Sequence, residues 1–190
     1  MEPLNIVLCG LGGQGILFMT KVLAETALAK GHRILGAETH GMAQRGGSVV
    51  SHLRIGEAES SLVRTDGADL VLALEEHEGY RNLAYLCEGA RFYVNAHADR
   101  FPSEAVRTYL DKHRVTCRST PAGDLAMKLE APMSTNLALL GFASAFEPSP
   151  ITHEELRETV ERITPERFLE VNLRVFDAGR EAASGEGSPA

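Results

Sequence analysis

The run LNIVLC (Leu4–Cys9), followed at once by GLGGQG (Gly10–Gly15), constrains this chain more than any other feature. A short apolar run without polar alternation fits a strand buried on both faces, as in a parallel sheet. The glycines that end it permit a turn too tight for residues with a β-carbon. Beyond them Ile16, Met19, Leu23 and Ala27 recur at helical spacing toward Lys30, and Gly31 supplies a stop. RILGAE (Arg33–Glu38) reads as the next strand, so Leu4–Glu38 is expected to form a βαβ unit with a right-handed crossover.

SVVSHLRIG (Ser48–Gly56) sets Val49, Ser51, Leu53 and Ile55 against Val50, His52 and Arg54, the period-2 pattern of a strand with one face less buried. DLVLALE and RFYVNA are two further buried strands, with a helix expected between them from about Glu76 to Cys87, and RVTCRS is a candidate last strand. Four helical segments follow: PAGDLAMKLE, STNLALLGFASAF, THEELRETVERI and PERFLEVNLRVFDAG. Ser134 or Thr135 suits one helix start, Thr152 with Glu155 makes a capping box, and Pro165 suits a first turn after Thr164. With no internal repeat and no long linker, the expected fold is α/β: a three-layer α/β/α Rossmann-like domain with a mostly parallel sheet and a helical C-terminal third. One domain over residues 1–180 is expected. The small polar residues of EAASGEGSPA (181–190) are expected to form a mobile tail.

A net charge of −7 with scattered arginines argues against a nucleic-acid footprint. MEPLNIVLCG has no basic region followed by a long apolar stretch, and no run approaches about 20 apolar residues, so a soluble cytoplasmic protein without a membrane partner is expected. Cys9, Cys87 and Cys117 are odd in number and far apart, without the C-x-x-C spacing of a zinc or iron–sulfur site. No cluster and no metal are expected in this chain, and Cys9 reads as a small buried hydrophobe.

GLGGQG matches the G-x-G-x-x-G of dinucleotide-binding turns, in which Gly10 would permit the tight turn, Gly12 close backbone approach and Gly15 helix–strand packing, while Glu38 at the next strand's end would bind a ribose. Glycine needed for sterics alone explains the same residues. Gln14 can donate and accept hydrogen bonds, toward a ligand or a neighbouring subunit. In ETHGMAQRGGSVVSHLRIG, Glu38, Thr39, His40, Gln44 and Arg45 crowd a loop at a strand's carboxyl end, and Gly46 and Gly47 free the backbone beside Arg45. That arginine either forks onto an anion or braces Glu38. EEHEGY (Glu75–Tyr80) reads as an acidic first helical turn rather than a metal site, and His97 as a solvated loop histidine. No nucleophile with an identifiable base stands out.

GLGGQGI followed by GAETHGMAQRGGSVVSHLRIG, then MSTNLALLG and VNLRVFDAG, resembles the gamma-type domain of 2-oxoacid:ferredoxin oxidoreductases, with HGMAQRGG most like the indolepyruvate-specific branch. The resemblance spans nearly the whole chain outside the tail. It implies a small subunit supporting coenzyme A-dependent oxidative decarboxylation of an arylpyruvate to an aryl-acetyl-CoA, with electrons passing to ferredoxin. A larger thiamine-dependent alpha subunit would hold thiamine diphosphate, magnesium and the iron–sulfur clusters, leaving none tightly bound here, with coenzyme A as co-substrate. Ligand- or interface-binding positions carried over by motif are Gly10, Gly12, Gly13, Gln14 and Gly15, then Glu38, Arg45, Gly46 and Gly47, and Asn136, with His40 beside them; catalytic residues are not assigned. Asn136 reads equally as a helix-terminal amide satisfying nearby backbone. The competing readings are a free-standing NAD-dependent dehydrogenase and a structural subunit that binds no ligand.

Overall fold

In the computed structural model, which describes residues 3–41, 46–147 and 151–184, the strands are β1 (Leu4–Leu11), β2 (Ile34–His40), β3 (Ser48–Ile55), β4 (Ala68–Ala73), β5 (Leu86–Asn95) and β6 (Thr116–Thr120). They form one sheet in the order β2-β3-β1-β4-β5-β6. β1, β4, β5 and β6 are parallel neighbours, and β3 runs antiparallel to both β1 and β2. The sheet is therefore mostly parallel, as expected. The opening βαβ unit is split, however: β2 points the same way as β1 but β3 lies between them. The physical reason is burial. β3 places Val49, Leu53 and Ile55 in one core and His52 against the other face, so it belongs inside the sheet. β2 is largely half-buried or exposed and takes the edge.

The helices are α1 (Ile16–Ala29), α2 (Glu76–Arg81), α3 (Glu104–Lys112), α4 (Ala122–Lys128), α5 (Thr135–Ser144), α6 (His153–Ile163) and α7 (Glu166–Ser184). Alternation along β1 divides the core: Ile6 and Leu8 meet α1 and α4–α7, whereas Val7 and Cys9 face the side that carries α2 and α3. This is the three-layer α/β/α arrangement. Every residue of α5 from Asn136 to Ser144 is buried, because the helix is covered by the sheet on one side and α7 on the other. The two helices cross at Gly141 and Gly179, where a β-carbon would lie 2.0 Å from the Phe176 carbonyl oxygen and 2.1 Å from that of Ala138.

Several boundaries differ from the sequence expectation. The helix expected from Glu76 to Cys87 stops at Arg81, gives way to a 3-10 turn over Leu83–Tyr85, and is replaced by β5 from Leu86. Asn82 ends it, its side-chain amide donating to the Glu78 carbonyl. α3 was not anticipated, since Leu110 is its one buried residue. Neither Ser134 nor Thr135 caps α5; their hydroxyls bond Asn172 Oδ1 and the Pro132 carbonyl. The Thr152–Glu155 capping box is present in both directions. Gly31 stops α1 at φ +78°, with His32 N–H donating to the Ala27 carbonyl. α7 continues through Ser184 with Ala183 buried, so the first four residues of the expected tail are helical, and 185–190 lie outside the described residues. No helix among the described residues is long and apolar enough to cross a membrane.

Candidate functional site

The strand order creates a seam between β1 and β4. From β1 the chain leaves to α1 on one face, and from β4 it leaves to α2 on the other, so the loops diverge at the carboxyl ends of these strands. Open α/β sheets place ligands at such a point. The seam is bounded by the glycine loop, by Gly46–Ser48 entering β3, and by Leu74–Glu78 following β4.

The glycines act differently from the fingerprint reading. Gly10 is still within β1, paired with Val49, and its missing β-carbon makes room for Gln14, whose Oε1 would lie 2.7 Å from it. Gln14 Oε1 accepts the Leu11 N–H at 2.7 Å, so the side chain folds back on the strand end rather than facing outward. Gly12 does allow close backbone approach, but to this chain: its N–H donates to the Gly47 carbonyl at 2.8 Å. Gly13 is exposed at φ +98°. Gly15, at φ +83°, meets α5 rather than a strand, since a β-carbon there would stand 2.5 Å from Asn136 Nδ2.

Two asparagines complete the stitching. Asn136 Nδ2 donates to the Gly15 carbonyl at 3.0 Å, and its Oδ1 accepts the Leu137 N–H. Asn95, the last residue of β5, donates to the Leu74 carbonyl at 3.1 Å and accepts the Gly123 N–H at 3.0 Å. Sequence reading missed Asn95; its signal was an amide closing the apolar run Phe92–Val94. These amides hold α1, α4 and α5 to the strand ends, and their backbone bonds account for much of their hydrogen-bonding capacity.

Glu38 is not part of this cluster. It is exposed on edge strand β2, opposite Ser51, which in turn stands opposite Leu8. Two strand spacings, about 10 Å, separate it from β1, and it sits three residues short of that strand's end. Gly46, at φ +72°, and Gly47 lie beside the glycine loop. The expectations for Gln44 and Arg45 fall outside the described residues, as does the His40 side chain.

EEHEGY is more than an acidic turn. Glu75 accepts the Glu78 N–H and so starts α2, as a cap does. Glu78 itself is buried, with a side chain 2 % exposed. Its Oε2 accepts the Ser48 hydroxyl at 2.6 Å and its Oε1 the Arg81 guanidinium at 2.7 Å. Arg81 at i+3 was the sequence signal for this carboxylate. His97 has a partner: its Nε2 stands 3.2 Å from Asp124 Oδ2, both side chains about half exposed.

A Ser–His–Asp set that sequence reading did not find lies under α5, α6 and α7. Ser144 Oγ is 2.7 Å from His153 Nδ1, and His153 Nε2 is 3.7 Å from Asp177 Oδ1. It is not a hydrolytic triad. Ser144 and His153 are buried, the hydroxyl donates to the Gly141 carbonyl at 2.7 Å, and the ring stacks on Phe176. Burial holds the imidazole below its ordinary range. Cys9 is buried against the Glu78 carbonyl, and burial pushes its thiol far above the usual range, as expected of a hydrophobe and not of a nucleophile. Cys9, Cys87 and Cys117 occupy β1, β5 and β6, and no three metal-capable side chains converge among the described residues.

Residues 5–182 match the model of the pyruvate ferredoxin/flavodoxin oxidoreductase family. The chain belongs to this family. It is 34% identical over 191 residues to the indolepyruvate oxidoreductase subunit IorB of Methanothermobacter thermautotrophicus, covering 95% of this chain and 97% of that one. It is also 34% identical to the subunit of the same name from Archaeoglobus fulgidus, covering 97% and 98%. Among solved structures, the gamma subunit of a keto/oxoacid ferredoxin oxidoreductase from Geobacter sulfurreducens shares the fold with a TM-score of 0.75 at 22% identity, covering 96% of this chain and 99% of that one. In a 2-oxoglutarate:ferredoxin oxidoreductase from Magnetococcus marinus, at 21% identity, the matching part is 32% of a longer chain, with a TM-score of 0.77 and 97% of this chain covered. Over nearly its whole length the chain is thus similar to subunits of oxidoreductases of this family.

Proposed function

We propose that this chain supports coenzyme A-dependent oxidative decarboxylation of an aryl 2-oxoacid such as indolepyruvate, beside a larger thiamine-dependent subunit that delivers electrons to ferredoxin in the cytoplasm. The observation that carries the substrate class is the identity to IorB over nearly the whole length of both chains. When bound, thiamine diphosphate would supply the electron sink that lets the oxoacid part with carbon dioxide. The residues of this chain do not suit that cofactor or an iron–sulfur cluster: the three cysteines are separated, and no metal-capable group of three converges among the described residues. Both are assigned to the partner.

The part left to this chain is contact and shape. Gly12, Gly13, Gly46 and Gly47 present a narrow backbone surface at the seam, and with His40 and Arg45 they are the proposed contacts for coenzyme A, the oxoacid or the partner. Gln14, Gly10, Gly15 and Asn136 brace that surface from within. Because these amides are tied to backbone, a role for the subunit as a scaffold that binds no small molecule is the second reading. Co-expression with the larger chain, followed by indolepyruvate-dependent ferredoxin reduction with and without this subunit, tests the proposal. Activity that needs this subunit, with a Michaelis constant for coenzyme A or oxoacid raised by Arg45→Ala, supports it. Full activity of the larger chain alone overturns it. A complex whose activity needs this subunit but whose Michaelis constants ignore changes at the seam favours the scaffold.

A further inference from the structure

Glu78 is a charge in a place where folding does not require one. A buried carboxylate gives up its hydration, and an apolar pair of similar volume commonly serves stability as well or better. Its partners are specific to the seam. Oε2 holds the Ser48 hydroxyl at 2.6 Å, at the entry to β3, while Oε1 holds Arg81 within α2. The residue's own carbonyl receives Asn82 Nδ2 and lies 3.6 Å from Cys9 Sγ on β1. One residue therefore touches β1, the start of β3 and α2.

Ser48 stands opposite Leu11 at the end of the β1–β3 ladder. The next bond outward is Gly12 N–H to the Gly47 carbonyl, at 2.8 Å, and Ser48 also receives the Gly41 N–H on its carbonyl at 2.7 Å. Gly12, Gly46 and Gly47 have no side chains to fix their place, so their backbone positions depend on what holds Ser48. On the opposite face of the sheet, Thr20 holds Ser51, three residues further along β3, at 3.0 Å. At Ser48 the corresponding bond is the one to Glu78.

We propose that Glu78 is a positioning residue: its carboxylate fixes Ser48, and through Ser48 the Gly47 carbonyl that receives the Gly12 amide, giving the β1–β4 seam a single shape. The consequence for catalysis rests on the function proposed above; the positioning itself is a property of this chain alone.

The test uses the full chain with Ser48→Ala, Glu78→Gln and the apolar pair Glu78→Leu/Ser48→Ala. Amide exchange of Gly12 is read by NMR beside that of Leu8, deeper in β1. Glu78→Gln keeps an oxygen for the Ser48 hydroxyl and retains Gly12 protection within about threefold. Ser48→Ala and the apolar pair raise Gly12 exchange at least tenfold relative to that of Leu8 in the same protein. Unchanged Gly12 protection in folded Ser48→Ala overturns the proposal, and that variant decides the matter if the apolar pair does not fold. In the reconstituted complex Ser48→Ala and the apolar pair raise the Michaelis constant for coenzyme A or oxoacid, whereas Glu78→Gln leaves it near wild type. If the wild-type complex shows no oxoacid oxidation, the proposed function fails, and the exchange result still decides the role of Glu78.

Discussion

Two histidines show how a single buried ring links packing to pH. His52 accepts the Val63 N–H on Nδ1 at 3.3 Å and packs edge-on to Tyr85, and burial holds it below its ordinary value of 6.5. His153 is likewise held down, by burial first and then by Arg180, against the weaker upward pull of Glu154 and Asp177. A folded-state value below the unfolded one means that the unfolded chain binds more protons as pH falls. The stability these rings contribute is therefore fully present above about pH 6.5 and is lost as pH drops through their folded values. Glu147, pushed up by burial beside Tyr93, works in the opposite sense: its contribution is lost as pH rises through its folded value. Comparison with His153→Gln cancels that term. The wild-type melting temperature should fall between pH 6.5 and 5, and the variant, less stable at pH 7.5, should fall less across that window. Equal slopes for the two proteins would show that His153 does not carry the effect. None of this was legible in the sequence, because Ser144, His153 and Asp177 meet only after three helices pack.

Among elements, the crossing of α5 and α7 is the tightest contact, and it makes the sharpest demand on residue type. A methyl at Gly141 or Gly179 would press on main-chain carbonyls, not on movable side-chain ends. Gly141→Ala and Gly179→Ala should each destabilise by about 3 kcal/mol or more, at the upper end of overpacking penalties. Chemical denaturation measures this, and a loss under about 1 kcal/mol would show that the helices can slide apart. The end of α4 offers a change of opposite sign. Glu130 holds φ +58° where the chain turns back, with Ala131 N–H donating to the Ala126 carbonyl. Glu130→Gly should stabilise by about 0.5–1 kcal/mol by relieving the left-handed backbone. The apolar runs LNIVLC and DLVLAL made β1 and β4 readable, and the α1 stripe of Ile16, Met19, Leu23 and Ala27 is buried throughout. Less was readable where one residue carries the packing, as Leu110 does for α3, or where a short 3-10 turn replaces a helix end.

At the scale of the whole molecule, strand order decides between functions that the glycine motif leaves open. A dinucleotide fold needs the strand after the first helix to lie beside the first strand, so that its terminal acid reaches the ribose of a ligand resting on the glycine turn. Here the β2–β3 link returns the chain into that position, and β3 occupies it. Glu38 is carried one strand further out and sits level with Leu8 instead of with the loop. The loop has changed its use as well, since Gly12 N–H is spent on Gly47 and Gly10 accommodates Gln14. The sequence contained every residue of this arrangement but not the insertion of β3, which depends on pairing between distant segments. Titration calorimetry of NAD(H) into the chain should give no binding in the micromolar range, a loss of the roughly 8 kcal/mol that such an affinity represents. Replacing Glu38 with alanine should leave that result and the fold unchanged and the stability within about 0.5 kcal/mol of wild type, as for an exposed edge position. A micromolar dissociation constant that disappears in Glu38→Ala would instead mean that the acid does reach a ribose at the glycine turn, and the dehydrogenase reading would return.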